Sequence, residues 1–314
     1  MTPPVGANHR AESGQDRSDC GSIDDGLSIF LNLRARLFGM AYRILGSVTD
    51  AEDVVQNAWL RWQTTDRGSV IDPPAFLATV TTRLAVNLAE SAHSRRERYI
   101  GPWLPEPVDT RADPHLGAER GDALGLAVLR LMENLTASER GAYVLREAFD
   151  YSYDRIAEIL EREEANVRQL VSRAKKHVAE NRRAPVDPSM QRRLLEAFVA
   201  ATKAGDASAL ERLFAADVAS VTDGNGMVHA ARKPVVGREH VAKFIASWHE
   251  SYFSKVTVEW VEMNGERSVV FLLDGAIVAL AAISASADRI YQILWFRHPG
   301  KLGAVAAALQ SATA

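Results

Sequence analysis

Between Ala165 and Arg183 the chain sets six cations, Arg168, Arg173, Lys175, Lys176, Arg182 and Arg183, against one acid, Glu180. Read as a helix, this stretch lines one face with Val167, Leu170, Val171, Ala174 and Val178 and leaves Arg168, Gln169, Ser172, Arg173, Lys175 and Lys176 on the remainder. Arg and Gln side chains make bidentate hydrogen bonds to guanine and adenine edges, whereas Lys mostly neutralises phosphate, so these six residues are candidate contacts to duplex DNA. A shorter helix over Ser152 to Leu160 and a four-residue connection, Glu161 to Glu164, precede the basic stretch. That is the layout of a helix-turn-helix whose second helix enters a major groove. Taken alone, a basic helix reads more often as a solvated face than as a DNA contact. The turn is unusual in being Glu161-Arg162-Glu163-Glu164: a non-glycine residue at positive φ costs about 1 kcal/mol, and acid here repels phosphate.

Other groups are less organised. Asp223, His229, His240, His249 and Asp274 are the acid–base candidates of the last third, but no spacing unites them, and each reads as a surface or satisfied polar residue. The one cysteine, Cys20, excludes an intramolecular disulfide and a multi-cysteine zinc site. No cofactor and no metal are expected. A net charge of -3 rules out a uniformly basic coat, so DNA affinity has to come from local clusters offset by acid elsewhere.

The elements that must position these groups follow from periodicity. Ile29, Phe30, Leu33, Leu37, Met40 and Ile44 predict a helix over Asp24 to Leu45, stopped at Gly46. Thr49 with Glu52 reads as a capping box opening a second helix whose buried stripe is Val55, Ala58, Trp59 and Trp62. After a loop from Thr64 to Asp72, Pro73 and Pro74 start a third helix with the stripe Phe76, Leu77, Val80, Leu84 and Leu88, running out into Arg95, Arg96 and Arg98. Four prolines between 101 and 117 predict an extended connector, and four helices follow over Leu124 to Met132, Thr136 to Phe149, Ser152 to Leu160 and Glu164 to Glu180.

Beyond Pro188 helices give way to helices followed by strands. Met190 to Lys203, Ala207 to Ala215 and Gly237 to Tyr252 read as helices. Val218 to Thr222 is a strand, and Asp223-Gly224-Asn225-Gly226 is a turn leading to Met227 to Ala231. A meander closes the chain: Val256 to Met263, Ser268 to Leu273, Ala276 to Ser284 and Ile290 to Phe296, with hairpin turns at Asn264-Gly265 and Asp274-Gly275. The first 22 residues read as a disordered leader without a signal-peptide core, and the apolar run Ala276 to Ala287 is too short to span a bilayer. The expectation is a cytoplasmic, membrane-free protein.

The blocks "LTASERGAYVLREAFDYSYDRIAEIL" and "ANVRQLVSRAKKHV" resemble region 4 of the bacterial extracytoplasmic-function sigma factors, and "AEDVVQNAWLRW" resembles their region 2. "GPWLPEP", "TDGNGM", "RKPVVG" and "HPGKL" are similar to motifs of the subgroup with a C-terminal SnoaL-like domain, although Met227 replaces a usual Lys and His298 and Gly300 replace Asn and Asp. The resemblance implies a multidomain fold: two all-α sigma modules plus an α+β cone domain of SnoaL-like or NTF2-like type. The implied organisation is a leader (1–22), region 2 (23–100), a Pro-rich linker (101–118), region 4 (119–184) and a regulatory domain (188–314). The implied partners are core RNA polymerase and promoter DNA, with room for a small ligand in the last domain.

By the same resemblance, Asp50, Glu52, Asp53 and Gln56 meet the polymerase, while Thr79, Thr82, Arg83 and Asn87 read the -10 element and the basic helix reads the -35 element. Trp103, Leu104, Pro105, Asp223, Gly224, Gly226, Pro299, Lys301 and Leu302 carry the regulatory contacts. No catalysis is expected. Two other classes stay open: a helix-turn-helix regulator fused to a sensor domain, and a SnoaL-type isomerase or cyclase with a DNA-binding appendage.

Overall fold

The computed structural model describes residues 18–96, 99–110, 125–184, 186–228 and 230–313. Three long helices open the chain: α1 (Ser18–Leu45), α2 (Val48–Thr64) and α3 (Pro73–Arg96). Residues 18–22, expected in the leader, are thus helical, and 1–17 lie outside the described residues. The cap of α2 also differs from expectation. Ser47, not Thr49, is the N-cap, its Oγ accepting from the Asp50 amide at 3.3 Å. Gly46 ends α1 at φ +67°, where an L side chain is strained.

After the extended segment 99–110 come α4 (Leu126–Met132), α5 (Ala137–Glu147), α6 (Tyr153–Leu160) and α7 (Glu164–Asn181). Thr136 and Glu139, whose three-residue spacing reads as a capping box from sequence, make both of its hydrogen bonds at the start of α5. The two helical groups do not stand apart as beads on a linker. One apolar cluster runs from Phe30 and Leu37 through Leu77 and Val86 to Val144, Ile156 and Val171. Gly141 on α5 permits this approach, since a Cβ there would lie 2.8 Å from a methyl of Val86 on α3. Buried Arg140 adds a polar tie, donating to Ile44 O at 2.9 Å and pairing with Glu133 at 2.6 Å.

The C-terminal part begins with α8 (Pro188–Ala204) and α9 (Ala207–Leu213). Its six-stranded sheet comprises β1 (Phe214–Asp223), β2 (Val235–Val236), β3 (Thr257–Met263), β4 (Glu266–Leu273), β5 (Ala276–Ser286) and β6 (Arg289–Phe296), in the order β2-β1-β6-β5-β4-β3. Strands β3 to β6 form the expected meander, and β1 adds parallel to β6. The stretch Met227 to Ala231, to which the Asp223–Gly226 turn leads, forms no strand among its described residues. A turn closes from Met227 N to Gly224 O, and β2 pairs further on. Helix α10 (Arg238–Ser247) also stops short of Tyr252, where a π-helical turn (His249–Phe253) takes over.

Strand alternation explains how the sheet is covered. Ile293 and Trp295, with Val269, Phe271, Ala279 and Ala281, face α8, α9 and α10. Leu294 and Phe296, with Val270, Leu280 and Ala282, face a second layer made of α11 (Gly303–Thr313), Leu126 of α4 and Leu104 of the connector. Burial on both faces is why β5 reads as an unbroken apolar run rather than an alternating one. Leu104 is wholly buried, so the Pro-rich connector is extended as expected but forms part of a core. Its residues 111–118 lie outside the described residues.

Candidate functional site

The basic helix α7 presents its groups as its periodicity predicts. Val167, Leu170, Val171, Ala174 and Val178 are buried, while Arg168, Gln169, Ser172, Arg173, Lys175 and Lys176 are all exposed. Its local cation excess is tempered by acids that linear counting did not see. Arg173 pairs with Glu139 at 3.0 Å and Lys175 with Glu147 at 2.9 Å, both from α5. Arg168 pairs with Glu164 at 2.5 Å and lies 4.4 Å over the Tyr153 ring, and Lys176 faces Glu180 at 3.8 Å. Exposed pairs of this kind contribute about 0–1 kcal/mol, so phosphate can replace the carboxylates at little cost. Glu161, at φ +53°, holds the left-handed corner between α6 and α7. Its carboxylate, although exposed, pairs with Arg83 at 2.7 Å.

Arg83 sits on α3, and with its neighbours it is turned toward the helix-turn-helix. Its Nε donates to Ile159 O at 2.7 Å and its Nη2 to Glu158 O at 2.9 Å, satisfying carbonyls at the C-terminal end of α6. Arg155 of α6 reaches back, donating to Thr79 Oγ1 and to Ala75 O, each at 3.0 Å. Thr82 is buried and Asn87 is exposed. Of the four residues expected to read the -10 element, only Asn87 is thus openly presented in this conformation. Periodicity placed the others on α3 but gave no sign that a second module covers that face.

On α2, Asp53 and Gln56 are exposed, Asp50 is half-buried in the first turn, and Glu52 pairs with Arg34 at 2.5 Å. A cleft of about 330 Å³ between α1 and α2 is lined by Leu27, Phe30, Leu31, Arg34, Gln56 and Trp59, among others. Leu27, Leu31 and Leu60 are exposed around this helix pair. Trp62 is buried and donates to Gly26 O at 2.9 Å, and Trp59 packs against Phe30 at 4.8 Å, so both serve the module's packing.

The C-terminal residues singled out in the sequence converge on the connector. Asp223, fully buried at the end of β1, accepts from Lys301 Nζ at 2.7 Å, from Leu104 N at 2.9 Å and from the Tyr99 hydroxyl. Lys301 also donates to Leu104 O, and its ammonium lies 4.1 Å from the centre of the Trp103 ring and 5.5 Å from that of Tyr99. A 3-10 turn, Pro299–Lys301, aims the lysine inward, and Leu302 packs below it. Asn225 accepts from Ile100 N at 3.2 Å, and Gly226 lies under the Ile100 side chain. Burial and the adjoining Asp223 carboxylate both push the Tyr99 phenol up, so it stays a donor. Asp223-Gly224-Asn225-Gly226 is therefore a connector-binding corner as well as a turn. Buried Pro105 follows Leu104 on the connector.

A second joint escaped the sequence reading. Glu106 of the connector accepts from Val48 N at 2.9 Å and Ser47 Oγ at 3.1 Å at the start of α2, while its carbonyl accepts from the buried Tyr42 hydroxyl at 2.6 Å. Asn264, at the β3–β4 turn, donates from Nδ2 to Tyr42 at 2.9 Å and accepts from Val108 N at 3.0 Å. Its amide donates in turn to Val108 O at 2.8 Å. Asn-Gly at a hairpin is sufficiently explained by φ +54° and +76°, so composition carried no hint of this second role.

The acid–base candidates do not assemble. A cavity of about 50 Å³ inside the C-terminal cone is lined by Phe244, Trp248, Tyr252, Phe253, Trp295 and Arg297, among others, with no carboxylate or histidine in its described lining. Asp223 is engaged at the connector, Asp274 forms a turn, and His229 lies outside the described residues. Among the described residues no cluster of His, Cys, Asp and Glu is arranged to hold a metal, and no helix is long and apolar enough to cross a membrane.

Comparison with known proteins returns two family models, Sigma-70 region 2 over residues 29–96 and Sigma-70 region 4 over 125–178. The chain is similar to the ECF RNA polymerase sigma factor SigJ of Mycobacterium tuberculosis, with 38% identity over 72% of this chain and 74% of the relative. It is also similar to the probable ECF RNA polymerase sigma factor SigI of that organism, with 31% identity over 88% of this chain and 94% of the relative. The crystal structure of M. tuberculosis SigJ superposes with a TM-score of 0.72 at 32% identity, covering 88% of this chain and 98% of that one.

Proposed function

The chain belongs to the extracytoplasmic-function RNA polymerase sigma factors and serves in transcription initiation, and from that premise we propose that its C-terminal SnoaL-like domain holds it in a closed, self-restrained state. The observation that carries this reading is the buried Asp223–Lys301 pair clamped on the connector at Leu104. The same segment is tied to α2 through Glu106, while α3 faces α6 through Arg83 and Arg155.

In the active form the exposed Asp53 and Gln56, with the apolar cleft between α1 and α2, dock on core polymerase, and Asp50 and Glu52 support the same helix face. Arg168, Gln169, Ser172 and Arg173 read the -35 duplex, and Lys175 and Lys176 neutralise its phosphates. Thr79, Thr82, Arg83 and Asn87 read the -10 element once α6 moves off α3. The regulatory contacts are those of Trp103, Leu104 and Pro105 with Asp223, Gly224, Gly226, Pro299, Lys301 and Leu302. Opening exchanges intramolecular hydrogen bonds for polymerase and DNA contacts, a population shift set by their differential affinity.

The C-terminal domain acts here as a binding module, not an enzyme. Its cavity has room for one or two waters and its described lining lacks converging acid–base groups, so a small ligand would have to enlarge it. In vitro transcription with core polymerase tests the reading. The full chain should direct start-site-specific transcript, and Lys301→Met should change its yield. Absence of specific transcript with every variant, including truncations within 188–314, would sink it.

A further inference from the structure

The β3–β4 turn grips three parts of the molecule with three consecutive residues. Asn264 bonds to Val108 of the connector and to Tyr42 of α1, and Gly265 N donates to Thr110 Oγ1 at 3.1 Å. Glu266 enters a cleft of about 300 Å³ between the C-terminal sheet and the helix-turn-helix module. Its Oε1 lies against the backbone of Gly125 at the start of α4, where a Cβ would stand only 3.2 Å away. No hydrogen bond or ion pair satisfies this carboxylate among the described residues, although Asn264 two positions earlier is fully engaged.

We propose that this hairpin tip is a proton-sensitive latch: docking of the C-terminal domain on the helical modules takes up a proton at Glu266, so that the latch tightens in acid and loosens as pH rises. The proposal rests on the closed state described above and names a signal to which that state responds.

The surroundings of Glu266 give the sign. From the segment just after α7 the cleft receives Arg182 and Arg183, from β6 Tyr291, from α8 the neutral Gln191 and from β5 the neutral Ser284. Its α4 lining carries no ionisable side chain. Arg183 is engaged by Asp217, which leaves Arg182 as the cation acting on Glu266. Burial dominates over that cation and pushes the Glu266 carboxyl up to about 7 from an ordinary 4.5. Undocked, on an open hairpin, the group returns to the ordinary value.

A carboxyl raised in the docked form stabilises docking fully below the ordinary range, and that contribution is lost as pH climbs to about 7. By linkage, the docked-to-undocked ratio falls about tenfold between pH 6 and pH 8.

The test uses the full chain with Cys20→Ser and dye pairs on cysteines introduced by Asn166→Cys and Asp288→Cys, both exposed positions. Single-molecule energy transfer across a urea series gives the docked-to-undocked ratio at each pH. The expected result is a five- to tenfold fall from pH 6 to pH 8 in the parent, and a flat, mostly docked profile in Glu266→Gln, the neutral isostere. A change under twofold in the parent, or an unchanged slope in Glu266→Gln, overturns the latch. Glu266→Asp, with the same charge on a shorter arm, should keep a slope and guards against misreading a folding defect. Duplex DNA binding measured alongside separates the two readings. If docking follows pH but DNA affinity does not, the self-restraint reading fails and the latch stands. If docking is flat, the latch fails whatever the DNA does.

Discussion

Neutralising Asp223 is the most informative perturbation of the connector clamp. Asp223→Asn keeps the side chain's shape and an oxygen facing Leu104 N, but strands the Lys301 ammonium, 6% exposed, without its counter-charge. Breaking a buried pair from one side costs about 3–5 kcal/mol. Retained hydrogen bonds and the Trp103 and Tyr99 rings around the ammonium place this case at the lower end, about 3 kcal/mol. The Leu104 amide reports the opening directly. It is buried and donates to Asp223, so its hydrogen exchange should accelerate on the order of 100-fold, the equivalent of about 3 kcal/mol. Asp223→Asn with Lys301→Met removes both charges and should recover at least half of the loss, because an apolar replacement of a buried pair is often neutral. Exchange at Leu104 accelerated less than threefold in the single variant, or strictly additive losses in the cycle, would refute the view that this pair holds the connector.

Other outcomes follow from the same geometry. Arg168→Ala should relax base preference at the -35 element, whereas Lys175→Ala should weaken all duplexes alike and flatten the salt dependence by about 0.9, as read by binding across a salt series; uniform loss in both would remove Arg168 from base readout. Arg155→Ala frees Thr79 without touching a proposed DNA contact and should raise the free chain's affinity for -10 single strand about fivefold, or about 1 kcal/mol, in an anisotropy titration. Gly46→Ala forces a Cβ to 2.9 Å from the Trp103 ring at φ +67° and should lower the urea midpoint by the equivalent of about 2 kcal/mol.

Much of the helical architecture was legible because it rests on local regularities. The stripes of α1, α2, α3 and α7 and the Thr136 cap are properties of residues a few positions apart, and short-range sterics and one buried face decide them. The turns at Asn264-Gly265 and Asp274-Gly275 were equally plain, since positive φ at two successive positions selects those residue types. Ser47 displaced Thr49 as the cap of α2, a shift within reach of local rules. Glu106, which bonds to the same helix start from 59 positions away, was beyond them.

What the sequence by itself determined, then, is the basic helix: which of its faces packs, which residues it leaves exposed, and the family motifs around it. Tertiary structure alone decided what those residues meet. Asp223, Lys301 and Leu104 come together across 78 and 119 positions, Arg83 finds the end of α6 across 76, and Glu266 becomes a displaced acid only because a second module covers it. Periodicity records burial but not the partner that causes it, and the charge of a buried group depends on that partner. The exposed face of α7 was therefore written in the chain, and the acids it pairs with were brought to it by folding.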